Sequence, residues 1–156
     1  MYRYVLRKRF FWLWIMVATV CVCESAQGAT IILGPSESIQ TAIDAAGTGD
    51  IIEVHSGTYY ENVNVDKPII LFGVDTGGGK PVVDAGGKGS AISLSASGSV
   101  LEGFVITNSG NDMDMSAGIR VISDRNVIRD KLAKENDGYG IILENSSYNR
   151  RSALLK

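Results

Sequence analysis

Beyond residue 28 the chain has no cysteine, and all 156 residues together hold a single histidine, His55. Without cysteine, neither a disulfide framework nor a thiolate metal site can be built from that part, so its stability must come from packing. With one histidine, imidazole chemistry is confined to one position. Room for helices is also scarce. From Asp50 onward short apolar runs follow one another with gaps of only a few residues. An ordinary parallel sheet with helical crossovers is therefore excluded, because each crossover needs about a dozen residues or more. Two-residue hairpins fit no better, since joints such as "HSGTYYE" and "DTGGGK" are longer and irregular.

Both cysteines, Cys21 and Cys23, fall in the apolar run "FFWLWIMVATVCVC", Phe10 to Cys23, which follows Arg3, Arg7, Lys8 and Arg9 and precedes "ESAQGA". Basic start, short apolar centre and small residues at the cut make residues 1–28 a secretory signal, with cleavage expected before Ala29. The run is shorter than the roughly twenty residues of a membrane-spanning helix. An uncleaved anchor is the alternative, and acylation at Cys21 or Cys23 is disfavoured by bulky Val20 and Val22 before them. Export implies a secreted, cell-surface or periplasmic location, with the membrane met only through the signal segment. Removal of 1–28 leaves eleven basic and sixteen acidic residues, a formal charge of −5, which argues against nucleic acid as a partner.

The exported part, residues 29–149, opens with an expected strand, "TIILG" at Thr30 to Gly34. "PSESIQTAIDAAGTGD" then reads as the one helix, because Ile39, Ala42, Ile43 and Ala46 share a face. Pro35 and Ser36 mark its start and Gly47 its end. Its narrow, alanine-rich face suits a cap on the end of a sheet stack. After Asp50 the period becomes two: Ile52 and Val54 alternate with Glu53 and His55, Val63 and Val65 with Asn62 and Asn64, and seven further runs follow from "IILFG" to "GIILE". Corners made of a few residues leave one arrangement, a coil whose successive turns pair in parallel over a stacked apolar column. An internal repeat agrees: "GIRVISDRNVIRD" and "GIILENSSYNRRS" align with Ile119 over Ile141, 22 residues apart, and "VLEGFVITNSG" returns loosely as "VIRDKLAKEND".

"SIQTAIDAAGTGDIIEVHSGTYYENVNVDKPIILFG" resembles the N-terminal cap and first coils of right-handed parallel β-helix proteins of the pectin-lyase-like group. "NVIRDKLAKENDGYGIILENSSYN" resembles the Asn-rich repeat of sugar-hydrolase and periplasmic copper-binding β-helices and of large surface proteins. Together the two stretches cover most of Ser36 to Asn149. The resemblance implies an all-β, right-handed parallel β-helix, or solenoid, with a short N-terminal capping helix. In that fold Gly57 is expected to take a positive φ where one strand swings into the next, and Tyr59 and Tyr60 to divide between interior and rim. Asn126 either forms a side-chain ladder with an equivalent in the next turn or caps a turn.

Enzymes of that group carry carboxylates, Arg and sometimes Ca²⁺ on the outer face of central coils. The paired Asp and Arg motifs of pectin methylesterases, the acidic clusters of pectate lyases and the "NTD", "DD", "HG" set of polygalacturonases are not found here. His55, beside Glu53, is expected to point outward as a surface histidine, with a general base as the alternative. "SGNDMDMSAG" sets Asp112 and Asp114 two apart, a pattern for Ca²⁺, while Met113 and Met115 suit Cu(I). Against both stands a solvated loop with methionine packed under it. Asp124 and Asp130 complete the four candidate ligand-binding residues, and Asp137 and Tyr139 lie on the same kind of polar face. No catalytic or resident metal residue is assigned. "DTGGGK" and "DAGGKG" read as coil corners rather than phosphate cradles, having neither the full spacing nor a following helix.

After Ser147 the pattern fails: "YNRRSALLK" puts Arg150 and Arg151 where inward apolar residues are due, so residues 150–156 form a non-repeat tail and the repeat is expected to be truncated. An open end invites self-association. The function expected is a binding or display module directed at polysaccharide or cell-envelope components. Two alternatives are a fragment of a polysaccharide lyase, esterase or hydrolase, and a copper-delivery protein.

Overall fold

The computed structural model describes residues 28–111 and 115–151. The signal segment therefore lies outside the described residues up to position 27. The chain forms β1 (Thr30–Leu33), α1 (Ile39–Ala45), β2 (Ile51–His55), β3 (Thr58–Tyr60), β4 (Val63–Val65), β5 (Ile70–Val74), β6 (Val82–Asp84), β7 (Ile92–Leu94), β8 (Val100–Glu102), β9 (Val105–Thr107), β10 (Ala117–Val121), β11 (Val127–Arg129), β12 (Leu132–Lys134), β13 (Tyr139–Leu143) and β14 (Arg150–Arg151).

The strands are mostly β-branched and aliphatic, and they sort into three parallel sheets. The first runs β1-β2-β5-β8-β11-β14, the second β3-β6-β9-β12 and the third β4-β7-β10-β13. From β2 onward consecutive strands visit the three sheets in rotation, so each circuit adds one strand to every sheet. The architecture is all-β with one helix, compatible with a parallel β-helix. Both repeats read from the sequence are ladder partners: Ile119 pairs with Ile141, Leu101 with Ile128 and Ile106 with Ala133.

Strand alternation decides what is buried. In the first sheet Ile52, Leu71, Leu101 and Ile128 stack in register, each at most 1 % exposed. Val63, Ile92 and Ile119 do the same in the third sheet, and Tyr59, Val83 and Ile106 in the second. Each fully buried isoleucine or leucine contributes roughly 1.5–3 kcal/mol, and together these columns make one dry core. Tyr60, next to buried Tyr59, is 79 % exposed, the division expected of adjacent residues on a strand.

Polar corners tie one circuit to the next. Asn126, fully buried, accepts from the Ser99 amide and donates to Ser123, while its own amide donates to Oδ1 of Asn149. It is thus both a rung of a ladder and a turn cap, and the two readings coincide. Asn136 repeats the device at another corner, accepting from the Ser109 amide and donating to the Ile106 carbonyl.

Two local expectations are corrected. The helix starts at Ile39 behind an N-cap at Ser38, whose side chain accepts from the Thr41 amide. Pro35 and Ser36 belong to the approach turn, because a hydroxyl three residues before a free amide is the better cap. Gly57 does not have positive φ. It is small because a Cβ there would lie 2.6 Å from Cβ of Pro35, so close approach rather than handedness fixes it. Positive φ occurs at Gly103 (85°), where an added Cβ would also meet the Gly73 carbonyl oxygen at 2.2 Å.

The cap is held at both ends. The Glu61 carboxylate accepts from the Ser38 hydroxyl and from the amides of Ile39 and Gln40. The Lys67 ammonium donates to the carbonyls of Ile43, Asp44 and Ala46. An anion at the helix N-terminus and a cation at its C-terminus satisfy orphaned backbone groups and oppose the helix dipole. Both residues flank β4, so the first full circuit clamps α1 onto the stack.

Candidate functional site

Where the approach to α1 meets the end of β3, Pro35, Ser36, Glu37, Ser38, Thr58, Tyr59, Tyr60 and Glu61 line a shallow cleft of about 340 Å³. Its geometry follows from three local features. Alternation along "TYYE" sends Tyr59 inward, where its hydroxyl donates to the His55 carbonyl at 2.9 Å, and leaves Tyr60 on the rim. The clamp fixes Glu61. Glu37 is anchored by the Gly34 amide, which donates to Oε2 at 2.7 Å. Burial, with Glu37 and Glu61 adding to it, pushes the Tyr59 phenol above its ordinary pKa and keeps it a neutral donor. The cleft thus offers an aromatic ring, serine hydroxyls and two immobilised carboxylates within one open surface.

The sequence-expected aspartates are not gathered at this place. Asp112 and Asp114 lie outside the described residues. Met115, expected under their loop, is instead 49 % exposed with φ 57°, a left-handed turn residue facing solvent. Asp124 and Asp130 sit at opposite ends of β11, with the strand between them. Oδ1 of Asp124 accepts from the Ser147 amide at 2.6 Å. Asp130 accepts from the Lys80 ammonium, which also reaches its backbone carbonyl. Lys80 spans from the second circuit to the fourth, joining residues 50 positions apart. Both aspartates therefore fasten circuits together. Among the described residues no group of three or more His, Cys, Asp and Glu is placed to hold a metal ion.

His55 points outward as alternation requires, half-buried, with Nε2 2.8 Å from Oε1 of Glu53. The "DTGGGK" corner is closed on itself: Asp75 Oδ1 accepts from the amides of Gly77 and Gly79. Those amides are the donors a phosphate would need, and the carboxylate already occupies them. The second glycine corner is similar, with the Gly86 amide donating to Asp84.

A second surface forms at the other end of the stack. Val127, Arg129, Asn149, Arg150 and Arg151 line an open depression of about 480 Å³. Arg129 is held by Glu102 at 2.8 Å. Arg151 pairs in the ladder with Ile128, so the inward register position carries a cation. Nearby Lys131 has its ammonium pKa lowered, by burial first and by Arg151 second.

Sequence reasoning identified neither the cleft nor the clamp. The signal for the cleft was present in "TYYE", where two adjacent aromatics on a strand cannot both be buried. The clamp has no signal of comparable strength, since Glu61 and Lys67 meet α1 only after a circuit of the chain. Compared with family models, curated proteins and solved structures, the chain matches none.

Proposed function

We propose that the chain is a right-handed parallel β-helix of the pectin-lyase-like kind that acts as an exported binding or display module, directed at carbohydrate in the cell envelope and without catalysis of its own. Right-handedness is supported by the general rule that strand connections returning in parallel to the same sheet turn that way in about 98 % of cases. The carbohydrate reading rests on one observation: Tyr60, 79 % exposed, stands in a cleft where Glu37, Ser38, Tyr59 and Glu61 are fixed by internal hydrogen bonds. A sugar ring presents apolar C–H groups to the negative face of an aromatic ring and hydroxyls to neighbouring carboxylates and serines. Because Glu37 and Glu61 are already oriented, little side-chain entropy is lost on binding.

Calorimetric titration with neutral and uronate-containing oligosaccharides tests this. Binding of at least one class is expected, weakened about threefold to tenfold in Tyr60→Ala. No heat with any of them, or equal binding by the variant, overturns it. The Glu53–His55 contact at 2.8 Å favours the enzyme alternative as the second reading. Release of unsaturated or reducing ends from acidic polysaccharide, abolished in His55→Ala, would replace the binding reading with that one.

A further inference from the structure

The two ends of the stack carry opposite charge. Residues 29–67, which hold β1, α1, the first circuit and its clamping lysine, include six acidic residues and one basic residue, Lys67. Residues 125–151, the last circuit, include six basic and four acidic ones. Within the last circuit, β13 leaves its inward side chains half-covered, although Ile128 of β11 is fully buried. Ile141 and Leu143 are only partly buried, whereas their register partners Ile119 and Val121 are fully buried. Among the described residues nothing pairs with the outer edges of β12, β13 and β14, nor with that of β1.

We infer that these two ends are one interface, between the last circuit of one copy of this chain and the first of another, stacked head to tail. The geometry of the sheets sets the fit. The first sheet has one more strand at each end than the other two, and α1 occupies the layer of β1 over the third sheet, packing on β4. When β14 of one copy takes β1 of the next as its parallel neighbour, the second copy's α1 comes to lie over β13. Its exposed Thr41 and Ala45 then cover Ile141 and Leu143, and Asp44 approaches Arg150 and Arg151. Small residues on the outer face of α1 permit close contact, and the opposed charges select this pairing over end-to-end contact of like surfaces. The contact is heterologous, so it propagates rather than closing as a dimer.

Sedimentation velocity on the purified protein over a hundredfold range of concentration, in low and high salt, tests the interface. The weight-average sedimentation coefficient is expected to rise with concentration and to fall back as salt screens the ends. Arg150→Glu with Arg151→Glu is expected to weaken association about tenfold or more, and Asp44→Lys in a second chain to restore it when the two are mixed. Thr41→Arg, exposed and outside the core, blocks the same contact without touching the charge cluster. Thermal melts of each variant separate lost association from lost folding. A monomer at every concentration, or association that both sets of variants leave intact, overturns the proposal.

Discussion

The first and last circuits are built from the same strand pattern and finish in opposite ways. At the first end α1 takes the place of a rung, buries Ile39, Ala42 and Ile43, and is fastened by Glu61 and Lys67. At the last end Ile141 and Leu143 are half-covered, and Arg151 stands where the column calls for an aliphatic side chain. A stack of this kind is stabilised by each layer's contact with its neighbours. A layer with two neighbours is therefore worth more than a layer with one. Burial of the same residue type at the same register position should measure the difference directly.

The largest effect is expected from that measurement. Ile119 and Ile141 are register partners, the first fully buried and the second partly so. Ile119→Ala should cost about 2–5 kcal/mol, as core truncations do, and Ile141→Ala about 1 kcal/mol in dilute protein. Urea unfolding with both midpoint and slope recorded checks it. Equal losses would mean that the last circuit is as well covered as the middle. If copies stack head to tail, the gap between the two variants should narrow as concentration rises.

The clamp gives the next effect. Glu61→Ala strands three donors at the start of α1 and should cost about 1–2 kcal/mol, within the range for lost caps. Lys67→Met releases three carbonyls and should cost about 1 kcal/mol. Because both residues act on one seven-residue helix, the double variant should lose less than the sum of the singles. Strict additivity would show that the two ends of α1 are held independently. Equivalent changes at the open end, such as Arg129→Ala beside Glu102, should stay near the few tenths of a kcal/mol typical of exposed pairs.

The strand rungs were legible in the sequence because alternation of apolar and polar residues survives even in three-residue strands, as in Val63, Asn64 and Val65. The helix face was legible for the same reason, through Ile39, Ala42, Ile43 and Ala46. The repeat was legible between Val100 and Leu143, closely where Ile119 meets Ile141 at a step of 22 residues and loosely where Leu101 meets Ile128 at a step of 27. Elsewhere the step from one inward residue to its partner changes from 19 (Ile52 to Leu71) to 30 (Leu71 to Leu101), since corners such as "DTGGGK" absorb insertions. What alternation cannot carry is contact across circuits. Glu61 at the start of α1 and Lys80 on Asp130 join residues 21 and 50 positions apart, and nothing local in the chain marks them, whereas Asn126, which reaches Ser99 27 positions away, is marked by its place just before a rung. The aspartates drew attention as possible ligands for the same reason. A carboxylate that fastens two circuits and one that binds a ligand look alike until their partners are placed.

The smallest effect distinguishes corners by what occupies their amides. Asp75 lies below its ordinary carboxylate range, chiefly through the Gly77 amide and then the Gly79 amide that donate to it. A group whose pKa is lowered in the folded protein stabilises it fully above the unfolded value, and the contribution disappears as pH falls through the lower folded value. The "DTGGGK" corner should therefore hold unchanged at neutral pH and loosen only in acid, below the ordinary aspartate range of about 3.9. Amide chemical shifts of Gly77 and Gly79 should titrate together there, and Asp75→Asn should abolish the step. The amide of Arg150 in the last circuit donates to the Asn126 carbonyl, an acceptor with no proton to gain, so it should stay flat over the same range. A step at Arg150 matching that at Gly77 would mean that the circuits loosen together, and the layers would then behave as one cooperative unit rather than as neighbours of unequal strength.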